Sequence, residues 1–436
     1  QATKFHLEGN ISEAAKYYKY FINQGFIDYG AFSNYGIILK GLGKLKEAEI
    51  FFRKAIELKY DSYEAHSNLG NLLLDLRKLN EAEIITRKAI ALKPDYPEAH
   101  SNLGNILREL GKLKEAEIIT RKAIFFRPNY AEAHLNLGNI LKDLDKLKEA
   151  EISTRKAIEL KRDYARAYSN LGNILRDLAK IEEAELLHRK AIELKPNFAE
   201  AYFNLSLIEL LKGNYETGLK NYDFRNLNKT LLAPYINSEM KRIVGGKLEK
   251  RGKLLVVGEQ GLGDTLQFMR YVLYLKNQGF DVSFCAQKKL HSLIKASSID
   301  SNPISPEKAN QMLEENWIPL LSLPRLLKIN PSNPLVSEPY IFSTDELKMK
   351  WKNILSKEKR PVIGINWQGN QKMEKTYQGR SIPLETFSEI IYQKEISILS
   401  LQKGFGSEQL DQCSFKNNFV KCQPQIDSTW NFLENA

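Results

Sequence analysis

Residues 63–96 read YEAHSNLGNLLLDLRKLNEAEIITRKAIALKPDY, and residues 97–130 repeat the pattern as PEAHSNLGNILRELGKLKEAEIITRKAIFFRPNY. Glycine and alanine mark the same register along the chain. Their positions recur every 34 residues, at Gly36, Gly70, Gly104, Gly138 and Gly172, at Ala48, Ala82, Ala116, Ala150 and Ala184, and at Ala55, Ala89, Ala123, Ala157 and Ala191. A fixed period of this kind predicts a solenoid of stacked units, none of which buries a core alone.

Each repeat predicts a pair of helices. The apolar face of the first helix in residues 97–130 is formed at helical spacing by Leu103, Ile106, Leu107 and Leu110. The second helix carries Ala116, Ile119, Ala123 and Ile124. Small residues let the two helices approach closely, and prolines end the second helix in three repeats, at Pro94, Pro128 and Pro196. The pattern resembles the tetratricopeptide repeat, which implies helical hairpins stacked into a right-handed superhelix.

The repeats predict a first domain over residues 1–225. Five full repeats span 29–62, 63–96, 97–130, 131–164 and 165–198. Residues 1–28 resemble the second half of a repeat, so we expect the chain to begin inside a longer array. Residues 199–225 carry Ser206 at the glycine register, and Gly218 and Arg225 at the alanine registers, which is typical of a capping unit.

Asparagine recurs on the polar side of the first helices. The first row is Asn34, Asn68, Asn102, Asn136, Asn170 and Asn204, and a second row follows three residues later at Asn71, Asn105, Asn139 and Asn173. An amide donates and accepts at once, so a stacked row suits binding of an extended peptide. The first row resembles the asparagine ladder of O-linked N-acetylglucosamine transferases. Inter-repeat hydrogen bonds, or recent repeat duplication, are the alternative explanation.

Other polar residues follow the same period. His66, His100 and His134 recur every 34 residues, but helix spacing of about 8 to 10 Å is too large for one metal ion, so we expect them to pack. Arg-Lys pairs at 87–88, 121–122, 155–156 and 189–190 predict either a basic stripe or, with neighbouring glutamates, a solvated face.

Composition narrows the functional classes. Apolar residues at 43% and charged residues at 27% are typical of folded domains. The net charge of +11 is spread along the chain, so nucleic-acid binding is disfavoured. Cys285, Cys413 and Cys422 form no metal or disulfide motif. We expect a cytoplasmic protein with no integral membrane segment.

After a predicted linker at residues 226–252, the period ends and strand and helix signals alternate. Residues 253–257 predict a buried strand, followed by the loop Gly258-Glu-Gln-Gly-Leu-Gly-Asp264 and a helix. Strand, glycine-rich turn and helix favour an anion at the turn. The spacing G-x-x-G-x-G differs from the dinucleotide fingerprint, which disfavours a nicotinamide or flavin cofactor.

Several motifs in order carry a second resemblance. They are GEQGLGDTLQF at 258–268, PLLSLP at 319–324, GINWQGN at 364–370, RSIPL at 380–384 and SLQKG at 400–404. This half of the chain is similar to bacterial tetratricopeptide-repeat glycosyltransferases, whose catalytic part is similar to heptosyltransferases. The resemblance implies a Rossmann-like, GT-B-type α/β module with an N-terminal lobe at 253–343 and the start of a C-terminal lobe at 344–436.

The resemblance also implies roles for single residues. Asp264 is the implied general base, although capping its helix explains the same position equally well. Donor or phosphate contacts are implied for Gly258, Gly261, Gly263, Trp367, Gly369, Asn370, Arg380 and Lys403. No metal or other cofactor is expected, since amides and cations take the phosphate charge. The donor would be a nucleotide-diphosphate sugar, and the acceptor a protein or glycan carrier recruited by the repeats.

The C-terminal lobe is shorter than the resemblance requires. A lobe needs about 150 residues, whereas about 76 follow Arg360. The later Asp-Thr-x-x-x-His segment of the family has no counterpart, so we expect a truncated lobe and little sugar transfer by this chain. The competing interpretation is a non-catalytic protein-interaction scaffold with a degenerate transferase module. A nucleic-acid adaptor is a third class, disfavoured by the even charge.

Overall fold

The computed structural model describes residues 1–227, 240–246, 248–250, 252–312, 316–336, 338–369, 381–392 and 395–428. The chain divides into two compact units. The first unit is Gln1–Phe224 and the second is Arg225–Ala436.

The first unit is a long superhelix of helical hairpins. Its helices are α1 (Ala2–Leu7), α2 (Ile11–Asn23), α3 (Tyr29–Gly41), α4 (Leu45–Leu58), α5 (Tyr63–Asp75), α6 (Leu79–Leu92), α7 (Pro97–Glu109), α8 (Leu113–Phe126), α9 (Ala131–Asp143), α10 (Leu147–Leu160), α11 (Ala165–Asp177), α12 (Ile181–Leu194), α13 (Ala199–Leu211) and α14 (Tyr215–Tyr222). The five full repeats are the hairpins from α3–α4 to α11–α12, as the register predicts.

Each hairpin turns through one residue with a positive φ angle. The position recurs at Gly9, Gly43, Arg77, Gly111, Asp145, Ala179 and Gly213. Glycine adopts this left-handed conformation freely, whereas a residue with a Cβ is strained by about 1 to 2 kcal/mol. The second helices therefore begin at the same point whether or not the turn residue is glycine.

The two helices of a repeat pack closest at the glycine register. A Cβ on Gly70, Gly104 or Gly138 would overlap the threonine hydroxyl of Thr86, Thr120 or Thr154 on the second helix. In the outer repeats the facing residues are larger, with Phe52 opposite Gly36 and His188 opposite Gly172. These contacts confirm that the small residues allow close helix packing.

Ion pairs join the second helices of successive repeats. Glu83 contacts Arg87 on its own helix and Lys112 of the next repeat, at 2.8 Å each. The equivalent glutamates, each paired with an arginine and the next repeat's lysine, are Glu49, Glu117, Glu151 and Glu185. The arginines of the Arg-Lys pairs are therefore neutralised, and the solvated-face interpretation is the one observed.

The first helices form the inner side of the superhelix. Successive first helices approach each other more closely than successive second helices do. A stack that is tighter on one side curves toward that side. The asparagine rows, which lie on the first helices, therefore line the concave face.

The second unit contains two small parallel sheets. The strands are β1 (Lys253–Val257), β2 (Asp281–Cys285), β3 (Asn316–Pro319), β4 (Val362–Ile365) and β5 (Ser397–Ser400), ordered β2-β1-β3 and β4-β5. The α-helices of this unit are α15 (Leu262–Phe268), α16 (Arg270–Asn277), α17 (His291–Ala296), α18 (Pro306–Ala309), α19 (Leu323–Leu326), α20 (Asp345–Leu355), α21 (Ser388–Tyr392) and α22 (Gln423–Asp427). The predicted parallel α/β character is present, on a smaller scale than two full lobes.

Separate clusters of buried side chains hold the two sheets. Around the first sheet, Leu255 and Val257 pack with Cys285 and Trp317. Around the second, Trp367 packs with residues that include Leu384, Ile398 and Phe415. Nothing among the described residues forms a helix both long and apolar enough to cross a bilayer.

Candidate functional site

The first asparagine row makes hydrogen bonds between repeats. The Nδ2 atoms of Asn102, Asn136 and Asn204 donate to the serine hydroxyl 35 residues earlier, at 3.0, 2.9 and 3.4 Å. These serines, Ser67, Ser101 and Ser169, are buried. The Asn102 Oδ1 atom also accepts from Asn71, of the second row, at 2.8 Å. A hydrogen bond to the serine of the preceding repeat is thus observed for three of the six predicted peptide-binding asparagines.

Two further asparagines of the row have other partners. Leu135 stands where serine stands in the preceding repeats, so Asn170 donates instead to Asn139 Oδ1, at 2.7 Å. At the start of the array, Asn34 donates to the Tyr18 hydroxyl at 3.1 Å. Asn68 makes no hydrogen bond within the part of the chain that the structure describes. The row is therefore not one uniform ladder.

A polar cleft of about 190 Å³ opens on the concave face. Its lining includes Asn139, Asn170, Asn173, Arg108, Arg166 and Glu200, from four successive first helices. Asn173 Oδ1 is buried and has no hydrogen-bond partner among the described residues. Buried polar atoms are nearly always satisfied, so this oxygen is an acceptor that a group from outside the described residues can reach only through the cleft.

Arg166 is the residue of the cleft that departs from the repeat pattern in charge. The three preceding repeats and the capping unit carry glutamate at this register, as Glu64, Glu98, Glu132 and Glu200. Arg166 is exposed and forms no ion pair with the described residues, whereas Arg108 contacts Asp143. Lys142 pairs with Asp177 at 3.2 Å. The cation of this cleft that lacks an ion pair within the described part of the chain is therefore Arg166, next to three amides.

The periodic histidines bind the backbone. His66 Nδ1 lies 2.8 Å from the Ser62 carbonyl oxygen, and His100 Nε2 lies 2.8 Å from that of Pro94. His134 Nε2 contacts Pro128 O at the same distance. Burial lowers the pKa of His100. The predicted packing role agrees with these contacts, and the described residues contain no cluster fit to hold a metal ion.

The glycine-rich loop follows β1 at the carboxyl edge of the first sheet. Gly258 N donates to Cys285 O at 2.8 Å, which fixes the loop to the end of β2. Gly261 precedes α15, and its backbone N–H donates to Asp264 Oδ2 at 3.0 Å. Gly263 is exposed. Asp264 thus caps its helix through Oδ2, as one of the two sequence interpretations requires, and remains partly exposed.

A buried ion pair lies in the same loop. Glu259 Oε1 accepts from Arg225 Nη2 at 2.6 Å and from the Leu321 backbone N–H at 3.1 Å. Arg225 also donates to Ser322 Oγ at 3.1 Å. Burial raises the pKa of Glu259, and the Arg225 charge opposes that shift. Sequence reasoning missed this pair, and the replacement of the register alanine by Arg225 was the available signal.

The carboxyl edge of the second sheet holds three of the remaining predicted donor residues. Trp367 follows β4, is buried, and donates from Nε1 to Gly406 O at 3.0 Å. Gly369 N donates to Ser381 Oγ at 3.2 Å. Lys403 follows β5 and is partly buried. The structure places Trp367, Gly369 and Lys403 at one edge, while Asn370 and Arg380 lie outside the described residues.

Three family models, each described as tetratricopeptide repeat, match this chain. They match residues 86–118, residues 165–195, and residues 29–62, 63–96 and 131–164. Residues 29–195 consist of tetratricopeptide repeats. Repeats of this class typically bind protein partners. A search of curated proteins gave no match.

Solved structures with tetratricopeptide repeats are similar to the array. A thermophilic repeat protein of Thermus thermophilus is 23% identical, covering 42% of this chain and all of its own, with a TM-score of 0.40. PilF of Pseudomonas aeruginosa is 19% identical over 46% of this chain and 92% of its own, with a TM-score of 0.39. YrrB, titled a repeat protein with an unusual peptide-binding site, is 25% identical over 43% and 97%, with a TM-score of 0.32.

Proposed function

We propose that the tetratricopeptide array is a protein-interaction scaffold whose concave face binds an extended segment of a partner. The observation that carries the proposal is the buried, unsatisfied Asn173 Oδ1 in the polar cleft of the described array. An extended peptide offers backbone N–H donors at regular spacing, and one of them satisfies this oxygen. Arg166 adds a cation that favours an acidic side chain on the bound segment.

Asn173 and Asn105 separate binding from folding. Neither makes a hydrogen bond within the part of the chain that the structure describes, in contrast to Asn102 and Asn136. Replacing them leaves the repeats intact, whereas replacing Asn136 also removes its bond to Ser101. A change in peptide affinity on replacing Asn173 or Asn105 therefore reports on peptide binding and not on folding.

The experiment selects a binder from a random 12-residue peptide library and measures its affinity for the whole chain by fluorescence anisotropy. We expect Asn173→Ala to weaken binding about 2- to 10-fold, the effect of one lost hydrogen bond. Arg166→Glu, which introduces the residue of the three preceding repeats, weakens the binding of acidic peptides further. Asn80→Ala, at an exposed position on a second helix, is the matched control. Equal loss in control and test variants would contradict the proposal.

The second candidate is sugar transfer by the second unit. It is favoured by the strand order β2-β1-β3, because the connection from β1 to β2 and the connection from β2 to β3 run in opposite directions across the sheet, and ligands of such sheets bind where the direction reverses. The glycine-rich loop follows β1, and its sequence resembles the glycosyltransferase motif. Asp264 Oδ2 is used in the helix cap, and no bond within the described residues involves Oδ1.

In that reaction the Asp264 carboxylate takes the proton of an acceptor hydroxyl. The acceptor oxygen then forms a bond to the anomeric carbon of the donor, and the bond from that carbon to the diphosphate breaks. The electron pair leaves with the nucleoside diphosphate. Lys403 and Arg380 are the cations proposed to bind the diphosphate, with Gly258, Gly261 and Gly263 allowing close approach of backbone amides.

Calorimetric titration with uridine diphosphate, guanosine diphosphate and adenosine diphosphate tests the donor site. Binding that Arg380→Ala abolishes supports the enzyme. Transfer lost in Asp264→Asn, with diphosphate binding retained, supports the general base. Asp281→Asn, at the opposite edge of the same sheet, is the control. Peptide binding with no diphosphate binding leaves the scaffold as the function.

A further inference from the structure

Two departures from the repeat pattern meet at one place on the outer face. Ser153 stands in α10 where the other full repeats carry a large apolar residue, at Phe51, Ile85, Ile119 and Leu187. Phe125 stands in α8 where they carry Glu57, Ala91, Glu159 and Glu193. Ser153 therefore removes an apolar side chain at its position, whereas Phe125 adds one.

A cavity of about 590 Å³, which Ser153 and Phe125 both line, opens at this place. Its apolar wall is formed by Ile124, Phe125, Leu137, Leu141 and Ile152, and Ser153 lies on it. This is within the usual size range of ligand pockets, about 300 to 1,000 Å³. Ser153 Oγ donates to His134 O at 2.8 Å, so its only polar group is satisfied and offers nothing to a polar ligand. The cavity is therefore suited to an apolar side chain.

Phe125 is the projecting counterpart of the cavity. Its side chain is 78% exposed although it lines the same opening. A chain that carries a projecting aromatic ring beside an apolar cavity is complementary to itself across a twofold axis, because each copy then supplies one ring and one cavity. A partner of other chemistry could fill the cavity, but it would leave the Phe125 ring exposed to water.

We propose that a second copy of this chain docks here, with Phe125 of each copy in the cavity that Ser153 of the other copy lines. This association uses the outer, second-helix face and does not rest on peptide binding at the concave face. Both surfaces can be occupied at once.

An exposed apolar stripe extends the contact area. Residues on the second helices recur every 34 positions and are more than half exposed, at Ile50, Ile84, Ile118, Ile152 and Leu186. At about 100 Å² each, burying them removes about 500 Å² per copy from water. Phe125 and the polar rim bring the contact toward the area of a stable interface, about 800 Å² per partner.

The charges at the rim also favour a like surface. Arg121 is 3.0 Å from Glu149, and Lys156 is 2.7 Å from Glu159, so both signs are present and paired. A rim of one sign would repel a second copy, whereas this arrangement allows pairs to form between copies.

Sedimentation equilibrium of the whole chain over a range of concentrations tests the proposal. We expect a monomer–dimer equilibrium that Phe125→Glu and Ser153→Ile each weaken more than about 100-fold, since each removes both central contacts. Both substitutions introduce residues that other repeats carry at the same register, so the array keeps its fold. Leu211→Asp, an equally exposed apolar residue changed to the acid of its register, is the control.

Mixing the two variants is the sharper measurement. Phe125→Glu keeps the cavity, and Ser153→Ile keeps the ring, so one contact of the two forms again in the mixed dimer. We expect the mixture to associate more tightly than either variant alone and less tightly than the original chain. A monomer at all concentrations, equal weakening by Leu211→Asp, or no gain on mixing overturns the proposal.

Discussion

Arg189 Nη2 lies 3.0 Å from Glu209 Oε1, and Glu209 occupies a register that leucine fills in every full repeat. The replaced leucines are Leu39, Leu73, Leu107, Leu141 and Leu175. Asn221 donates to the other carboxylate oxygen of Glu209 at 2.8 Å, and the side chain is buried. A carboxylate with two partners thus ends the apolar stacking of the array, in the unit that the sequence predicts to be its cap.

Glu209→Ala is expected to lower the free energy of unfolding by about 2 kcal/mol. The change leaves the Asn221 amide without its acceptor and removes a charge-assisted bond. Arg189 keeps Glu185, which limits the cost. Urea titration followed by helical circular dichroism measures the effect. Glu193→Ala removes an exposed ion pair with Lys190 and should cost less than about 0.5 kcal/mol, and an equal cost would contradict the capping role.

Gly104→Ala is expected to destabilise the array by about 1 to 3 kcal/mol, because the new Cβ overlaps Thr120 Oγ1. Thr120→Ala in the same chain removes the overlap and recovers most of the loss. The interaction energy of this double-mutant cycle, from thermal or urea unfolding, is the readout. Gly41→Ala, at a helical glycine with open space around it, should stabilise by up to about 1 kcal/mol.

Ala179→Gly is expected to raise the thermal midpoint. Ala179 turns the last full hairpin at φ 60°, where its Cβ is strained by about 1 kcal/mol, and glycine relieves the strain. Gly43 and Gly111 already fill this position in other repeats. The opposite sign is expected for Ala91→Gly, at an exposed position inside α6, which costs about 1 kcal/mol. Destabilisation by both would show that strain at the turn is absent.

Burial of His188 predicts that the stability of the array depends on pH below about pH 6.5. Burial, with a smaller contribution from the Arg176 charge, lowers the pKa of His188 to about 3. The unfolded chain therefore binds a proton below about pH 6.5 that the folded chain does not, and stability falls by about 1.4 kcal/mol per pH unit down to the folded value. His188→Thr, which introduces the residue of three other repeats, should reduce the slope between about pH 6.5 and 4.5 by this amount and leave the smaller contribution of His100. An unchanged slope would contradict the assignment.

The inter-repeat glutamates act in a lower pH range. Hydrogen bonds and charge from Lys112 and Arg87 hold the pKa of Glu83 below its usual value, against partial burial. Glu117 and Glu185 follow with their own lysine and arginine partners. Their contribution is complete above about pH 4.3 and is lost as pH falls through the folded pKa values. Unfolding of the His188→Thr variant below about pH 4 isolates the contribution of these glutamates to stability. About 1 M salt should reduce that contribution.

The register of 34 residues is enough to predict the array. Gly104, Ala116 and Pro128 each report a local steric need, namely close approach or a helix end, and such needs are visible in the residue type. The parallel strands at Lys253–Val257 and Asp281–Cys285 follow from short apolar runs bounded by glycine. Periodicity therefore identifies the hairpins, and strand signals identify two of the three strands of the first sheet, β3 being the one not predicted.

Pairings between side chains distant in sequence were beyond the same reasoning. Nothing local in Glu259 indicates Arg225, which lies 34 residues earlier and reaches it only in the folded chain. The asparagine row looked uniform, yet one leucine, Leu135, changes the partner of Asn170. The roles of Asp264 and Lys403 in sugar transfer remain predictions from resemblance. For Asp264, the same position suits a helix cap and a general base.

The ion pairs between second helices lie at the larger radius of the superhelix, where successive helices are farthest apart. Stretching or bending the array changes these distances more than any at the concave face. The ion pairs therefore resist deformation of the array, and the strength of each pair depends on screening by dissolved ions. We therefore expect the array to become less stiff as the ionic strength of its surroundings rises.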